Sequence, residues 1–130
     1  MALSTAKEIE ELADKLTATA NSMDEKIIAA AKKKHISHEY AKNAFEKSSL
    51  LRQQAAGFYI DAVNKILQDV EAPQNELINT IEQAKHVIET MDDIEKCLTI
   101  ITLLTKLTLN TIALDAKGII ASVKDIKENV

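Results

Sequence analysis

This chain has very little glycine and proline. Gly57, Gly118 and Pro73 are the only examples among 130 residues. β-Sandwiches and α/β domains need many tight turns, and tight turns depend on these residue types. Aromatic residues make up only 3% of the chain, so the core must be aliphatic, which suits slim helices packed side by side. These shortages predict an all-α fold, an antiparallel bundle of three to four long helices that forms one domain over residues 1–130.

Other absences narrow the function. The chain has 16 Lys and Arg against 20 Asp and Glu, so it lacks the basic excess that favours binding to nucleic acid. Cys97 is the only cysteine, which excludes an internal disulfide. The first residues turn acidic without a basic segment followed by an apolar one, so no Sec signal peptide is predicted. We expect a cytoplasmic protein, with export by a route that needs no cleaved signal left open.

The sequence shows no pattern typical of catalysis. It has no glycine-rich phosphate loop, nucleophile elbow or zinc-ligand spacing. Two short groups combine histidine with carboxylates: His35, His38 and Glu39, and then Glu82, His86 and Glu89. Neither group has an identifiable further ligand, and we interpret both as solvated polar surface. We therefore predict no enzyme and assign no catalytic, cofactor-binding or metal-binding residue.

The first two helices follow from capping signals and apolar spacing. Thr5 and Glu8 form a capping-box pattern, and apolar residues then recur at three- and four-residue steps to about Lys32. Ser37 is a plausible cap for the second helix. The same spacing continues through residues 62, 66 and 70, so the second helix is predicted to end only before Pro73.

The rest of the chain, from residue 74 to residue 128, could form one helix by its pattern. A heptad register runs from Leu77 to Ile126 and falters near the middle. A straight helix of this span would reach about 80 Å, well beyond the first two helices. We therefore expect a break, either at residues 90–93 or at residues 109–111, so that a third and a fourth helix form.

Residues 97–114 carry a single charge, Lys106, and a threonine at every third position. Successive threonines three residues apart wind around a helix instead of forming a stripe, and Leu and Ile between them also point in all directions. The pattern predicts a helix that is apolar all round, typical of a buried or lipid-facing helix. Its length of about 27 Å falls just short of a bilayer core, and Lys106 opposes insertion. We favour a bundle core, followed by a partner interface and then a membrane segment.

The best functional hypothesis is a non-enzymatic interaction or structural protein that forms a homo-oligomer or docks a protein partner. Gly57 is unfavourable inside a helix, which either a close approach of another helix or a mild kink would explain. Of the adjacent Phe58 and Tyr59, one can serve the core, and Tyr59 is the candidate to face a partner because its hydroxyl tolerates partial solvation. The candidate interface residues are Gly57, Tyr59, Ile100, Ile101, Leu103, Leu104 and Leu107. The alternative is a membrane-active protein, one component of a pore-forming or lipid-binding system, that inserts residues 97–114.

Overall fold

A computed structural model that describes residues 1–130 contains five α-helices and no strand. The helices are α1 Ala6–Lys32, α2 His38–Ile60, α3 Gln74–Thr90, α4 Ile94–Ile112 and α5 Ala116–Asn129, with a short 3₁₀ helix at Val63–Lys65. The all-α helical bundle predicted from composition is confirmed. The predicted number of three to four helices is too small, because the region from residue 74 to residue 128 is divided twice, into α3, α4 and α5.

Successive helices run in opposite directions, and the bundle closes as a ring in the order α2, α1, α3, α5, α4. Side-chain pairs show that α1 and α3 are parallel neighbours. Gln74 donates to the carbonyl of Glu8 at 3.1 Å near one end, and Lys15 pairs with Glu82 at 2.8 Å further along both helices. In addition to its two ring neighbours, α4 packs against α1 and α3.

Four helices begin at a side chain that accepts a backbone N–H of the first turn. These caps are Thr5, Ser37, Asp93 and Asp115. The Thr5 and Ser37 caps are confirmed as predicted. Glu8 differs from a standard capping box, because its carboxylate accepts the amide of Ser4 at 2.9 Å instead of the amide of the cap residue. Pro73 lies immediately before the first residue of α3 and provides no side-chain cap.

The predicted end of the second helix is wrong. α2 stops at Ile60, and residues 61–72 form the 3₁₀ helix and an irregular connection to α3. No glycine or proline causes this break. The connection is instead held by the N-terminal segment, since the amide of Leu67 donates to the carbonyl of Leu3 at 2.8 Å and the amide of Ala2 donates to the carbonyl of Ala72 at 2.7 Å.

The N-terminal segment is part of the core. Ala2 and Leu3 are fully buried, and the amide of Leu3 donates to Oε1 of Gln74 at 2.9 Å. Burial of the Leu3 side chain contributes about 2 kcal/mol. Its backbone has a φ of +59°, in the left-handed region that costs a leucine about 1–2 kcal/mol. We call residues 2–3 the N-terminal strap, because they fasten the connection between α2 and α3.

The predicted break in the C-terminal half occurs twice. α3 ends at Thr90 and α4 begins after the Asp93 cap, as predicted for residues 90–93. The second break lies a few residues beyond residues 109–111, since α4 continues to Ile112. Leu114, with a φ of +56°, completes that turn, and Asp115 caps α5.

The two glycines occupy opposite environments, and we predict opposite effects of alanine. A Cβ at Gly57 would meet nothing within 4 Å, so Gly57→Ala should raise the free energy of unfolding by about 0.5–1 kcal/mol through helix propensity. A Cβ at Gly118 would lie 2.6 Å from Oδ2 of Asp115 and 2.7 Å from Oδ1 of Asn110. Gly118→Ala should displace the α5 cap and lower the free energy of unfolding by about 1 kcal/mol. Urea denaturation at low protein concentration measures both; changes of the same sign would contradict the packing.

Candidate interaction surface

Helix α4 has a buried face and an exposed face, which corrects the expectation that residues 97–114 are apolar all round. The residues that point into the bundle are Cys97, Leu98, Ile100, Ile101, Leu104, Leu107, Thr108 and Thr111. The exposed side carries Glu95, Thr99, Thr102, Lys106 and Leu109, spaced by three and four residues. No helix of the structure has both the length and the apolar character needed to cross a membrane.

The threonines explain why the two faces of α4 look alike in the sequence. Each hydroxyl donates to the carbonyl four residues earlier, as in Thr99 to Glu95 at 3.1 Å on the exposed side and Thr108 to Leu104 at 2.8 Å on the buried side. A hydroxyl bonded in this way can be buried without an unsatisfied donor. Threonine therefore fits both faces, and its position does not mark the boundary between them.

The seven candidate interface residues fall into two groups. Ile100, Ile101, Leu104 and Leu107 are fully buried in the core of this chain, and Leu103 is partly buried. Gly57 and Tyr59 lie on the exposed side of α2. The structure does not bring the two groups together on one surface.

The face of α2 opposite its buried side carries a second stripe that sequence reasoning missed. The buried seam of α2 consists of Ala44, Ser48, Leu51, Ala55 and Phe58. The exposed stripe consists of Leu50, Gln53, Gly57 and Ile60, spaced by three, four and three residues. This is the spacing of a coiled-coil seam, and no member of the stripe is charged. The spacing of this stripe can be read from the sequence, but the more strongly apolar pattern of the buried seam runs through the same residues.

The helix that carries the exposed stripe packs against α4. The two helices are parallel neighbours: Tyr40 and Lys47 on α2 line a shallow cavity of about 330 Å³ with Glu95 and Thr102 on α4. Both pairs advance by seven residues, so the same register brings the end of α2 beside Leu109 and Ile112.

The 3₁₀ helix joins this region at the same end of the bundle, because Nζ of Lys65 donates to the carbonyl of Ile112 at 3.4 Å. We call the surface formed by Leu50, Gln53, Gly57, Ile60, Leu109 and Ile112 the α2–α4 groove. Ile60 is 87% exposed and Val63 beside it is 72% exposed, more than any other large apolar side chain of the chain.

Tyr59 belongs to the opposite edge of α2, where α2 meets α1. Its hydroxyl donates to Oδ1 of Asp14, while the neighbouring Phe58 is buried. Along this edge Arg52 pairs with Asp24, one heptad away from Tyr59. Partial burial, together with the bond to Asp14, raises the pKa of Tyr59 to about 12. Tyr59 therefore fastens α2 to α1 and lies outside the α2–α4 groove.

The two histidine and carboxylate groups are not arranged as metal sites. No group of three or more His, Cys, Asp or Glu residues is arranged to hold a metal ion. Glu82 is engaged by Lys15, and the hydrogen bond between them lowers the pKa of the Glu82 carboxyl. Cys97 is buried, which raises the pKa of its thiol and disfavours the reactive thiolate.

Comparison of the chain with protein-family models, with curated proteins and with solved structures gives no match. The functional assignment of this chain therefore depends on the geometry of its own surface.

The environment of Tyr59 predicts a pH dependence of stability. Its pKa is higher in the folded state than the ordinary value of 10.0, so the folded state favours the neutral phenol. The stability that this provides is present below pH 10 and is lost as the pH rises towards about 12. In a Tyr40→Phe background, phenolate absorbance should report this high pKa, and Asp14→Asn should lower it. Titration of Tyr59 near pH 10 in both proteins would contradict the bond to Asp14.

Proposed function

We propose that this chain is a non-enzymatic binding protein that self-associates through the α2–α4 groove. The observation that carries the proposal is the exposure of Ile60 and Val63, which lie at the same end of the bundle as Leu109 and Ile112. Single exposed apolar residues are common on protein surfaces, but a contiguous apolar patch is typical of an interaction site.

The lack of charged residues in the groove favours a second copy of this chain as its occupant. The segment from Gln53 to Ile60 has no charged residue, and Arg52 before it is already paired with Asp24. On α4, Lys106 is the only charge between residues 97 and 114, and it lies on the exposed side. A face without charges needs no partner of opposite sign, and two copies of it complement each other across a two-fold axis.

Gly57 supports a close approach of that second copy. In this chain a side chain at position 57 would meet nothing, so packing inside the bundle does not require glycine there. Glycine inside a helix costs about 1 kcal/mol relative to alanine. A crossing of α2 against α2 of the second copy, centred on Gly57, would use the space that the glycine leaves. Leu50 and Ile60 would then pack on either side of the crossing point.

Sedimentation velocity over a range of concentrations tests this proposal. The wild type should form a reversible dimer, and Ile60→Asp should weaken the association by at least about tenfold, or ~1.4 kcal/mol, because it buries a charge at the contact. Gly57→Leu should also weaken the association, although a Cβ at position 57 meets nothing within 4 Å in the isolated chain and leucine favours the helix. If either variant associates less but keeps the thermal stability of the wild type, the substitution acts on the contact between copies and not on folding.

Ile28→Asp is the matched control, since Ile28 is 48% exposed on α1 and lies outside the groove. It introduces the same charge at another exposed isoleucine and should leave the dimer intact. A wild type that stays monomeric at high concentration would contradict self-association. If such a monomer bound another protein or floated with liposomes, the occupant would be that protein or a lipid surface instead of a second copy.

A further inference from the structure

The connection between α2 and α3 has a helical sequence in a non-helical structure. Residues 61–72 contain neither glycine nor proline, and Ala62, Ile66 and Val70 continue the apolar spacing of α2. In the structure this segment contains only the short 3₁₀ helix Val63–Lys65, and Ile66 is extended with a ψ of 134°. The apolar spacing of residues 61–72 therefore favours a helix, whereas the structure shows a mostly non-helical segment.

The N-terminal strap holds the observed state together with the burial of Ala62, Leu67 and Val70 in the core. Leu3 is fully buried; its carbonyl accepts the amide of Leu67 at 2.8 Å, and its amide donates to Gln74 at 2.9 Å. Ala2 makes a third bond, to the carbonyl of Ala72. These bonds connect the strap to the middle of the connection, to its C-terminal end and to the start of α3. They satisfy backbone groups that a helix would otherwise satisfy internally.

The strap is itself under conformational strain. Leu3 has a φ of +59°, a region that residues with a Cβ rarely adopt. Its burial and its bonds maintain that geometry, so the strained backbone and the irregular connection depend on each other. Release of the strap would relieve the backbone of Leu3 and free residues 61–72 at the same time.

We propose that residues 61–72 are a hinge that the N-terminal strap keeps closed, and that this hinge becomes a continuation of α2 when the strap leaves its site. This inference does not depend on self-association through the α2–α4 groove. The lengthened α2 would extend about 18 Å beyond its present end, because a helix rises about 1.5 Å per residue.

Straightening of the hinge would open the bundle between its N-terminal and C-terminal halves. Gln74 now lies against α1, bonded to the carbonyl of Glu8 at 3.1 Å and to Glu11 at 2.9 Å. Movement of the start of α3 by the length of the new helix would break these contacts and separate α3–α5 from α1 and α2. The buried face of α4, including Ile101 and Leu104, would then be accessible. Part of the predicted interface would therefore belong to the open form.

Leu3→Asp tests the hinge, because a carboxylate opposes burial of the strap. Circular dichroism should show a gain of about 12 helical residues, and small-angle scattering should show a longer particle by roughly 18 Å. Hydrogen exchange should become slower in residues 61–72 and faster along the buried face of α4. Faster exchange in residues 61–72 without added helix would overturn the proposal, because the segment would then merely be loose.

Two variants test the hinge without changing the core. The exposed side chain of Asn64 donates to Asp61 at 2.6 Å, a local bond that closes the end of α2. Asn64→Ala removes this bond, favours helix, and should shift the protein in the same direction as Leu3→Asp. Gln68→Pro should block the gain in Leu3→Asp, since proline interrupts a helix while the amide of Gln68 donates to no backbone carbonyl in the structure. If neither Leu3→Asp nor Asn64→Ala gains helix, the proposal is wrong, including the case in which Leu3→Asp unfolds.

Discussion

Burial of one face of α4 is the interaction on which the rest of the bundle depends. Ile100, Ile101, Leu104 and Leu107 are fully buried, and α4 packs against each of the other four helices. A fully buried aliphatic side chain contributes about 1.5–3 kcal/mol, so these four residues account for a substantial part of the stability of a small domain. Because this face is used inside the chain, α4 leaves only its outer edge, with Leu109 and Ile112, available for contact in the closed bundle.

That restriction connects the core to the proposed function. Leu109 and Ile112 belong to the same apolar stretch as the core residues, but they lie on the exposed part of the helix. In the proposed contact, the neighbouring end of α2 adds Gly57 and Ile60, so that two parallel helices contribute to one surface. The same end of the bundle carries the connection that the strap holds. The proposed contact and the proposed hinge are therefore neighbours, although each rests on different observations.

The sequence predicted those helix ends that are determined by neighbouring side chains. The caps at Thr5 and Ser37, the position of Pro73 and the break near residue 90 follow from side chains within one helical turn. The end of α2 could not be predicted in this way, because Leu3 lies far along the chain from Leu67 and overrides a good helical pattern. Which face of α4 points into the core could also not be predicted from the sequence. Its threonines satisfy their own hydroxyls on either face, so composition alone could not distinguish the inner residues from the outer ones.

The most direct test of this account compares Leu104→Asp with Leu109→Asp by circular dichroism. The two variants introduce the same charge into the same helix, at a fully buried position and at one that is 50% exposed. We expect Leu104→Asp to lose cooperative folding, since an unpaired charge would be buried in the core, whereas Leu109→Asp should retain the helical spectrum and a cooperative thermal transition. A folded Leu104→Asp protein would contradict the assignment of that face of α4 to the core.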